Sequence, residues 1–343
     1  MTSRRDANKR KQVLRNIVVS VLLSSIVLVI VLFVNYERGQ LSEIARTFSP
    51  WFMLGALALA LSRIVIGGFR LAYISHFRIR LGPAMRGQLA WDFFSSVTPS
   101  VIGGGPLAAI YIAKNQGIPV GESTAFLLYA MLLDQLFFAL TVPVLLISSL
   151  YLPVFPASIG MAGTATMVGI FCVLLLWVGL FGYTTLVKTS VLGTISDKVF
   201  RLKWLSRFRE RVATEMIGLE SRASIIRSQP FSFFFVGFLI TLLAWAVRYA
   251  VVLFAIWSIY TSVDWVLVLL RNAAMTLAGL VMPTPGGSGG IEGLYVIFIA
   301  PLLPKAAVAP TMLLWRTLAY FLYLFLGMWF TLREIQKVIE FKE

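Results

Sequence analysis

Four arginines fall within or against long apolar segments of this chain: Arg63, Arg248, Arg271 and Arg316. Asp92, Asp134 and Glu292 occupy comparable positions. An arginine left facing lipid near the bilayer centre costs about 2.5–3.5 kcal/mol on insertion scales, so four would cost on the order of 10 kcal/mol. A polar cavity with acidic partners removes most of that. At least one positive charge is then left for a mobile anion. The planar guanidinium fork grips phosphate through two parallel N–H donors, so phosphate binding is the chemistry expected of Arg63, Arg248, Arg271 and Arg316. Arg63 and Arg271 also suit snorkelling to an interface. Asp92, Asp134 and Glu292 read as ion-pair partners of the arginines or as a proton relay, since intramembrane acids serve both ends.

Two glycine-rich stretches could aim backbone donors at the same anion. Val281–Tyr295, VMPTPGGSGGIEGLY, carries two prolines and five glycines between apolar runs and cannot continue a helix through lipid. Non-helical backbone at membrane depth survives only where protein or a water-filled cavity satisfies it, so the stretch is expected to line a site. Val97–Tyr111, VTPSVIGGGPLAAIY, overlays it without a gap, bringing Val97, Pro99, Gly103, Gly105 and Tyr111 onto Val281, Pro283, Gly287, Gly289 and Tyr295. The expected breaks are Pro99, Gly103, Gly104 and Gly105 in one stretch, and Pro283, Pro285, Gly286, Gly287, Gly289 and Gly290 in the other. Helix starts beyond them would present N–H groups to an anion. The same glycines also suit tight helix packing.

The elements that must position these residues are membrane helices. The 343 residues are 59% hydrophobic with a mean hydropathy of +0.86, which excludes an ordinary soluble globular protein. A net charge of +15 raises nucleic acid as a partner, but the basic residues cluster between apolar runs, as on a cytoplasmic membrane face. One cysteine and one histidine leave no disulfide and no zinc set, so no cofactor or metal is expected.

Along the chain, residues 1–16 hold six Lys or Arg against one Asp, ahead of an apolar crossing at Ile17–Val34. Gln40–Phe48 is expected to be interfacial. Trp51–Ile74 crosses back, interrupted by Arg63, Gly67, Gly68 and Arg70. Gly87–Thr98 and Pro106–Ala113 are each too short to cross and form a hairpin around the first glycine loop. Glu122–Leu150 and Ala162–Val187 cross next. Lys188–Gln229, with nine Lys or Arg against four acids, belongs in the cytoplasm. Its Trp204–Ser228 part suits an amphipathic helix on an anionic inner-leaflet surface, or a solvated helical loop. Phe231–Tyr260 crosses, Trp265–Met282 and Ile291–Ala300 form a second hairpin, and Lys305–Leu332 returns the C-terminus to the cytoplasm.

The expected fold is therefore all-α and polytopic, with about six transmembrane helices and two oppositely oriented re-entrant hairpins in inverted repeats. Repeat 1 spans about 51–150, the cytoplasmic basic loop 188–229, and repeat 2 about 231–333. Repeats of opposite orientation place a site near the bilayer midplane in many transporters.

Met282–Leu294, Leu313–Phe321 (LLWRTLAYF) and Thr98–Ile112 together resemble the lysylphosphatidylglycerol synthase transmembrane-region family, also called flippase-like or UPF0104 proteins. The resemblance covers nearly the whole chain. It implies a single inner-membrane domain over 1–343 that moves a lipid between leaflets, with Pro283–Glu292 and Arg316 on matching positions. Relatives that charge a lipid with lysine carry a soluble transferase domain. This chain ends at Glu343 after a short charged tail, so synthase activity is not expected.

The leading expectation is a flippase for an anionic phospholipid or lipid-linked head group, with membrane lipids as partners and both termini cytoplasmic. The alternative is a transporter of a small water-soluble anion, possibly proton-coupled, using the same arginines. An enzyme acting on lipid phosphates is weakest, because His76 lies in a basic turn without a His and Asp set for phosphoryl chemistry.

Overall fold

The computed structural model describes residues 46–98, 104–183, 209–280 and 282–340, with residues 26, 29, 30 and 33. The crossing expected over Ile17–Val34 and the segment over Gln40–Phe48 fall almost wholly outside these residues, as do Pro99, Gly103 and 184–208.

Every element among the described residues is helical. In order they are α1 (Pro50–Ile74), α2 (Leu81–Val97), α3 (Gly105–Gln116), α4 (Val120–Ser148), α5 (Gly160–Gly182), α6 (Arg209–Arg227), α7 (Phe231–Trp257), α8 (Trp265–Gly279), α9 (Gly290–Phe298), α10 (Lys305–Arg316) and α11 (Leu322–Glu340). A π-helical turn at Thr317–Phe321 makes α10 and α11 continuous. Helices α1, α4 and α7, and the rod Lys305–Thr331, are long and apolar enough to cross a membrane. Their outward faces carry large exposed apolar side chains, among them Trp51, Leu54, Leu140, Leu243 and Phe231. Water would penalise so much apolar surface, whereas lipid does not. The chain is a membrane-embedded, multi-pass protein.

Helices α1 and α7 form an antiparallel pair. The Ser49 N–H donates to the Ser258 carbonyl at 2.7 Å at one end, and Tyr73 stacks on Phe233 at 5.2 Å at the other. The residues at Arg63, Gly67, Gly68 and Arg70 do not interrupt α1, which is one continuous helix. Gly67 and Gly68 instead let α2 approach: a Cβ on Gly68 would stand 2.8 Å from the Met85 backbone, and one on Gly67 2.7 Å from the Gln88 side chain. Small residues serve close helix packing in this way.

Each glycine-rich stretch separates two short helices, α2 from α3 and α8 from α9. The first pair follows the Ile74 end of α1. The second follows the Trp257 end of α7, which lies beside the start of α1. The pairs therefore leave opposite ends of the α1/α7 unit. Asp264 caps α8 by accepting from the Val266 and Leu267 N–H groups at 3.0 and 3.1 Å. One apolar cluster joins α2, α3, α6 and the first half of α4 around Phe126, Tyr129 and Leu133. Another joins α8, α9, α10 and the second half of α7 around Ile256, Tyr295 and Phe298. The helix expected over Trp204–Ser228 is described as α6, whose Leu219 and Ile226 are buried in the first cluster.

Candidate functional site

The α-helical period places Arg63 and Arg70, two turns apart, on one face of α1. Gln88 and Asp92 share a face of α2 by the same rule. Arg63 Nη2 donates to Asp92 Oδ1 at 2.6 Å, and the Gln88 amide donates to Asp92 Oδ2 at 3.3 Å. Arg70 reaches across to α4, with Nη1 2.6 Å from Asp134 Oδ1 and Nη2 3.3 Å from Oδ2. The same Oδ1 accepts the Trp245 indole N–H at 2.8 Å. Arg316, at the end of α10, brings Nε to 2.8 Å from Oε1 of Glu292 on α9. Glu292 is fully buried, and its other oxygen accepts the Gly289 N–H at 2.8 Å. One carboxylate thus holds both the start of α9 and the last crossing rod.

These groups surround a cavity of about 360 Å³ lined by α1, α2, α4, α7, α8 and the α10–α11 rod. Arg63, Arg70, Arg248 and Arg316 line it, against Asp92 and Asp134. Three of the arginines have acidic partners. Arg248 has none within ion-pair distance among the described residues, and its guanidinium lies 4.9 Å from the centroid of the Trp245 ring. A cation over an indole face keeps some attraction, but its N–H donors remain uncommitted.

The floor of the cavity is the meeting of the two glycine-rich stretches. The Gly286 N–H donates to the Thr98 carbonyl at 3.1 Å. The Tyr320 hydroxyl, carried on the π-helical turn, donates to the Ser96 carbonyl at 3.3 Å and lies 3.4 Å from the Ser288 hydroxyl. Gly286, Gly287 and Gly289 hold φ values of 58°, 69° and 84°, which glycine alone adopts without penalty.

The model of the family described as the lysylphosphatidylglycerol synthase TM region matches residues 17–327. The chain belongs to that family. It is also similar to a UPF0104 membrane protein of Archaeoglobus fulgidus, at 24% identity over 319 residues, 89% of this chain and 93% of that protein. The span matched to the lysylphosphatidylglycerol synthase TM region contains every residue that lines the cavity.

Within that family frame, the structure places the expected site residues differently from one another. Arg63, Arg248, Arg316, Asp92 and Asp134 line the cavity, and Glu292 stands behind Arg316. Arg271 is not a cavity residue. Its Nε and Nη2 donate to the Pro153 carbonyl at 3.1 and 2.8 Å, and Nη1 to the Phe298 carbonyl at 3.0 Å, so it ties the loop after α4 to the end of α9 rather than awaiting phosphate. Among the expected breaks that are described, only Gly286 lines the cavity. Gly104, Gly105, Pro283, Pro285, Gly287, Gly289 and Gly290 shape the turns beside it, and Pro99 and Gly103 lie outside the described residues. Asp134 pairs with Arg70, which sequence reasoning had passed over as an interruption of its helix. The seven-residue spacing from Arg63 was the signal that both face the same side.

Proposed function

We propose that this protein moves an anionic lipid between membrane leaflets, its head group entering the cavity while the acyl chains stay in the bilayer. The observation that carries this reading is Arg248, a cation on a membrane-crossing helix that lines a cavity without an acidic partner among the described residues. A permanent charge at that depth is costly unless an anion or water meets it. A 360 Å³ cavity suits a head group rather than a whole lipid. The family's description, a lipid synthase membrane region, supports a lipid as the cargo. The lining residues include no histidine or cysteine, and the lining carboxylates are engaged by arginine, which supports transport rather than chemistry on the lipid.

In this reading the two short-helix pairs are re-entrant hairpins. The nine residues of α9 span about 14 Å, under half of a hydrocarbon core of about 30 Å. Helix starts at 50, 81, 105 and 120 recur at 231, 265, 290 and 305, which supports two repeats. Because the pairs leave opposite ends of α1/α7, the repeats are inverted. Rocking one against the other about the Thr98–Gly286 contact would expose the cavity to each leaflet in turn. The basic segments support a cytoplasmic side of the cell membrane for both termini and the loop 188–229, where that loop would meet anionic lipid.

The test is leaflet exchange of acyl-labelled phosphatidylglycerol in phosphatidylcholine vesicles, read by quenching of the outer leaflet. The wild-type protein accelerates exchange and Arg248→Gln slows it at least about tenfold, the loss of a charge-assisted contact. Exchange by the variant at the wild-type rate removes Arg248 from the mechanism. Uptake of inorganic phosphate by the same vesicles without lipid exchange would replace the lipid with a soluble anion.

A further inference from the structure

We propose that the end of the molecule where α1 stops and α7 starts carries a phospholipid site outside the cavity, at which Arg78 holds the phosphate of an anionic lipid whose acyl chains lie against Phe69 and Phe77. This site is independent of the transport reading. Two observations carry it. A turn held in a costly backbone conformation leaves an aromatic ring and a guanidinium exposed side by side, and two arginines share a single carboxylate.

The turn joins α1 to α2, and in it His76 and Phe77 follow one another at φ 51° and 56°. Left-handed backbone costs a residue with a side chain about 1–2 kcal/mol, so two in succession are held there by their surroundings. The Phe77 N–H donates to the Ala72 carbonyl at 2.7 Å, and the buried Ser75 hydroxyl accepts the Ile79 N–H at 3.1 Å. The His76 ring lies flat on Phe233 of α7 at 4.9 Å. With Ser75 and Ile79 fixed inside, Phe77 and Arg78 are left outside. Phe77 is 55% exposed and meets Phe69, itself 41% exposed, edge to face at 6.1 Å. Exposed rings at the end of a crossing helix suit the boundary between acyl chains and head groups, with a neighbouring cation at the depth of the phosphates.

The charges beside these rings do not balance. Glu122, at the start of α4, is buried, and its Oε1 receives both Arg78, whose Nε stands 3.1 Å away, and Arg222 of α6. Two guanidinium groups on one carboxylate leave one positive charge over among the three. Arg222 is mostly covered and lies over the Phe126 ring, so the surplus faces outward through Arg78, which is half exposed. The Nη1 and Nη2 groups of Arg78 have no acid or carbonyl partner among the described residues. A snorkelling arginine needs no fixed position. This one is pinned through Nε, and the edge left open is the pair of parallel donors that a phosphate accepts. A phosphodiester brings one negative charge and neutralises the cluster. Phe69 and Phe77 make a lipid the source of that phosphate, because they offer apolar surface to the chains beside it. Bound there, the lipid ties the α1–α2 turn to α4 and α6 through one phosphate and one carboxylate.

The experiment is hydrogen exchange of the full chain in phosphatidylcholine vesicles and in the same vesicles with phosphatidylglycerol added, read at the amides of His76–Ile79. Phosphatidylglycerol slows exchange of these amides about tenfold, the size expected for one charge-assisted contact. Arg78→Gln loses the slowing, each variant being compared with itself in phosphatidylcholine, and unchanged protection of α1 and α7 shows that the variant is folded. Arg248→Gln keeps the slowing, because the cavity takes no part in it. Absence of slowing in the wild-type protein overturns the site, whatever the variants do. Slowing that survives Arg78→Gln removes Arg78 from the contact and overturns the proposal. Slowing lost in Arg248→Gln moves the lipid to the cavity and overturns the separate site. The same slowing by inorganic phosphate in phosphatidylcholine vesicles overturns a lipid as the ligand. Leaflet exchange is not read in this experiment, so each of these outcomes is distinct from failure of the transport reading.

Discussion

The backbone N–H of Gly286 donates to the carbonyl of Thr98, 188 positions earlier in the chain, at 3.1 Å. Thr98 caps the end of the first helix of one short-helix pair and Gly286 lies in the turn of the other, so this bond joins the two pairs. Thr98 ends α2, where its carbonyl has no helical partner, and Gly286 lies where the chain has left α8 and not yet begun α9. Two backbone groups that helix geometry orphans satisfy each other across the molecule. Tyr320 reinforces the contact by bonding to the Ser96 carbonyl, two residues before Thr98.

Gly286→Ala is expected to disturb this contact. The substitution forces an L-residue to φ 58°, and its Cβ would stand 2.9 Å from the Ser96 carbonyl oxygen and 2.6 Å from the Tyr320 ring. Left-handed backbone alone costs about 1–2 kcal/mol, and the clash adds to it. Gly105→Ala is the control, because its Cβ meets the flexible Met131 sulfur at 3.2 Å and the Trp91 indole nitrogen at an ordinary 4.0 Å. Thermal unfolding in detergent should show a clear drop in midpoint for Gly286→Ala and a small change for Gly105→Ala. Equal midpoints would mean that the Thr98–Gly286 contact does not bear on stability.

Asp134→Asn should destabilise the protein more than removal of the whole pair. Arg70 is nearly buried, and the substitution leaves its charge facing a neutral amide. Breaking one partner of a buried pair costs about 3–5 kcal/mol, and the partial exposure of Asp134 places the effect at the lower end. An Arg70→Met, Asp134→Leu double variant removes the stranded charge and should recover part of the loss. A double-mutant cycle on unfolding midpoints reads the coupling, and additive effects would contradict the pairing.

The membrane class, the helix-breaking stretches and three of the four cavity arginines were legible in the sequence, because charge and proline inside apolar runs are local signals. Partnership was not. Asp134 stands 64 positions from Arg70 and 182 from Arg316, and nothing in the chain says which one it meets. Arg271 carries the same sequence signal as Arg248, yet it is consumed by carbonyls of Pro153 and Phe298. Whether a guanidinium is spent on backbone or left for a ligand depends on loops that only the folded chain brings together. Gln88, which donates to Asp92, carries no such signal, because a neutral amide within a helix looks like an ordinary polar residue.

Arg271→Ala is accordingly expected to act on stability rather than on lipid exchange. It removes three donors and strands two carbonyls, one of them the buried Phe298 oxygen that closes α9. Unsatisfied buried carbonyls cost about 1–3 kcal/mol each. The unfolding midpoint should fall, while phosphatidylglycerol exchange by the folded fraction stays at the wild-type rate. A slowed rate in folded protein would place Arg271 in contact with the cargo.

Glu122 makes the last case, at the far end of α4 from the loop that Arg271 holds. Its buried carboxylate receives Arg78, at 3.1 Å from the turn between α1 and α2, and Arg222 from α6. Arg78 is half exposed and contributes little; Arg222 is mostly covered and lies over the Phe126 ring at 5.6 Å. Leu219 and Ile226 are the buried apolar side chains in the described part of α6, and the Glu122–Arg222 pair adds a polar anchor beside them. Glu122→Gln removes the charge and keeps the shape. Hydrogen exchange across Arg209–Arg227 should then speed up by about an order of magnitude, the size expected for one lost charge-assisted contact, while amides of α1 and α7 keep their protection. Unchanged exchange in α6 would show that apolar packing alone holds the helix.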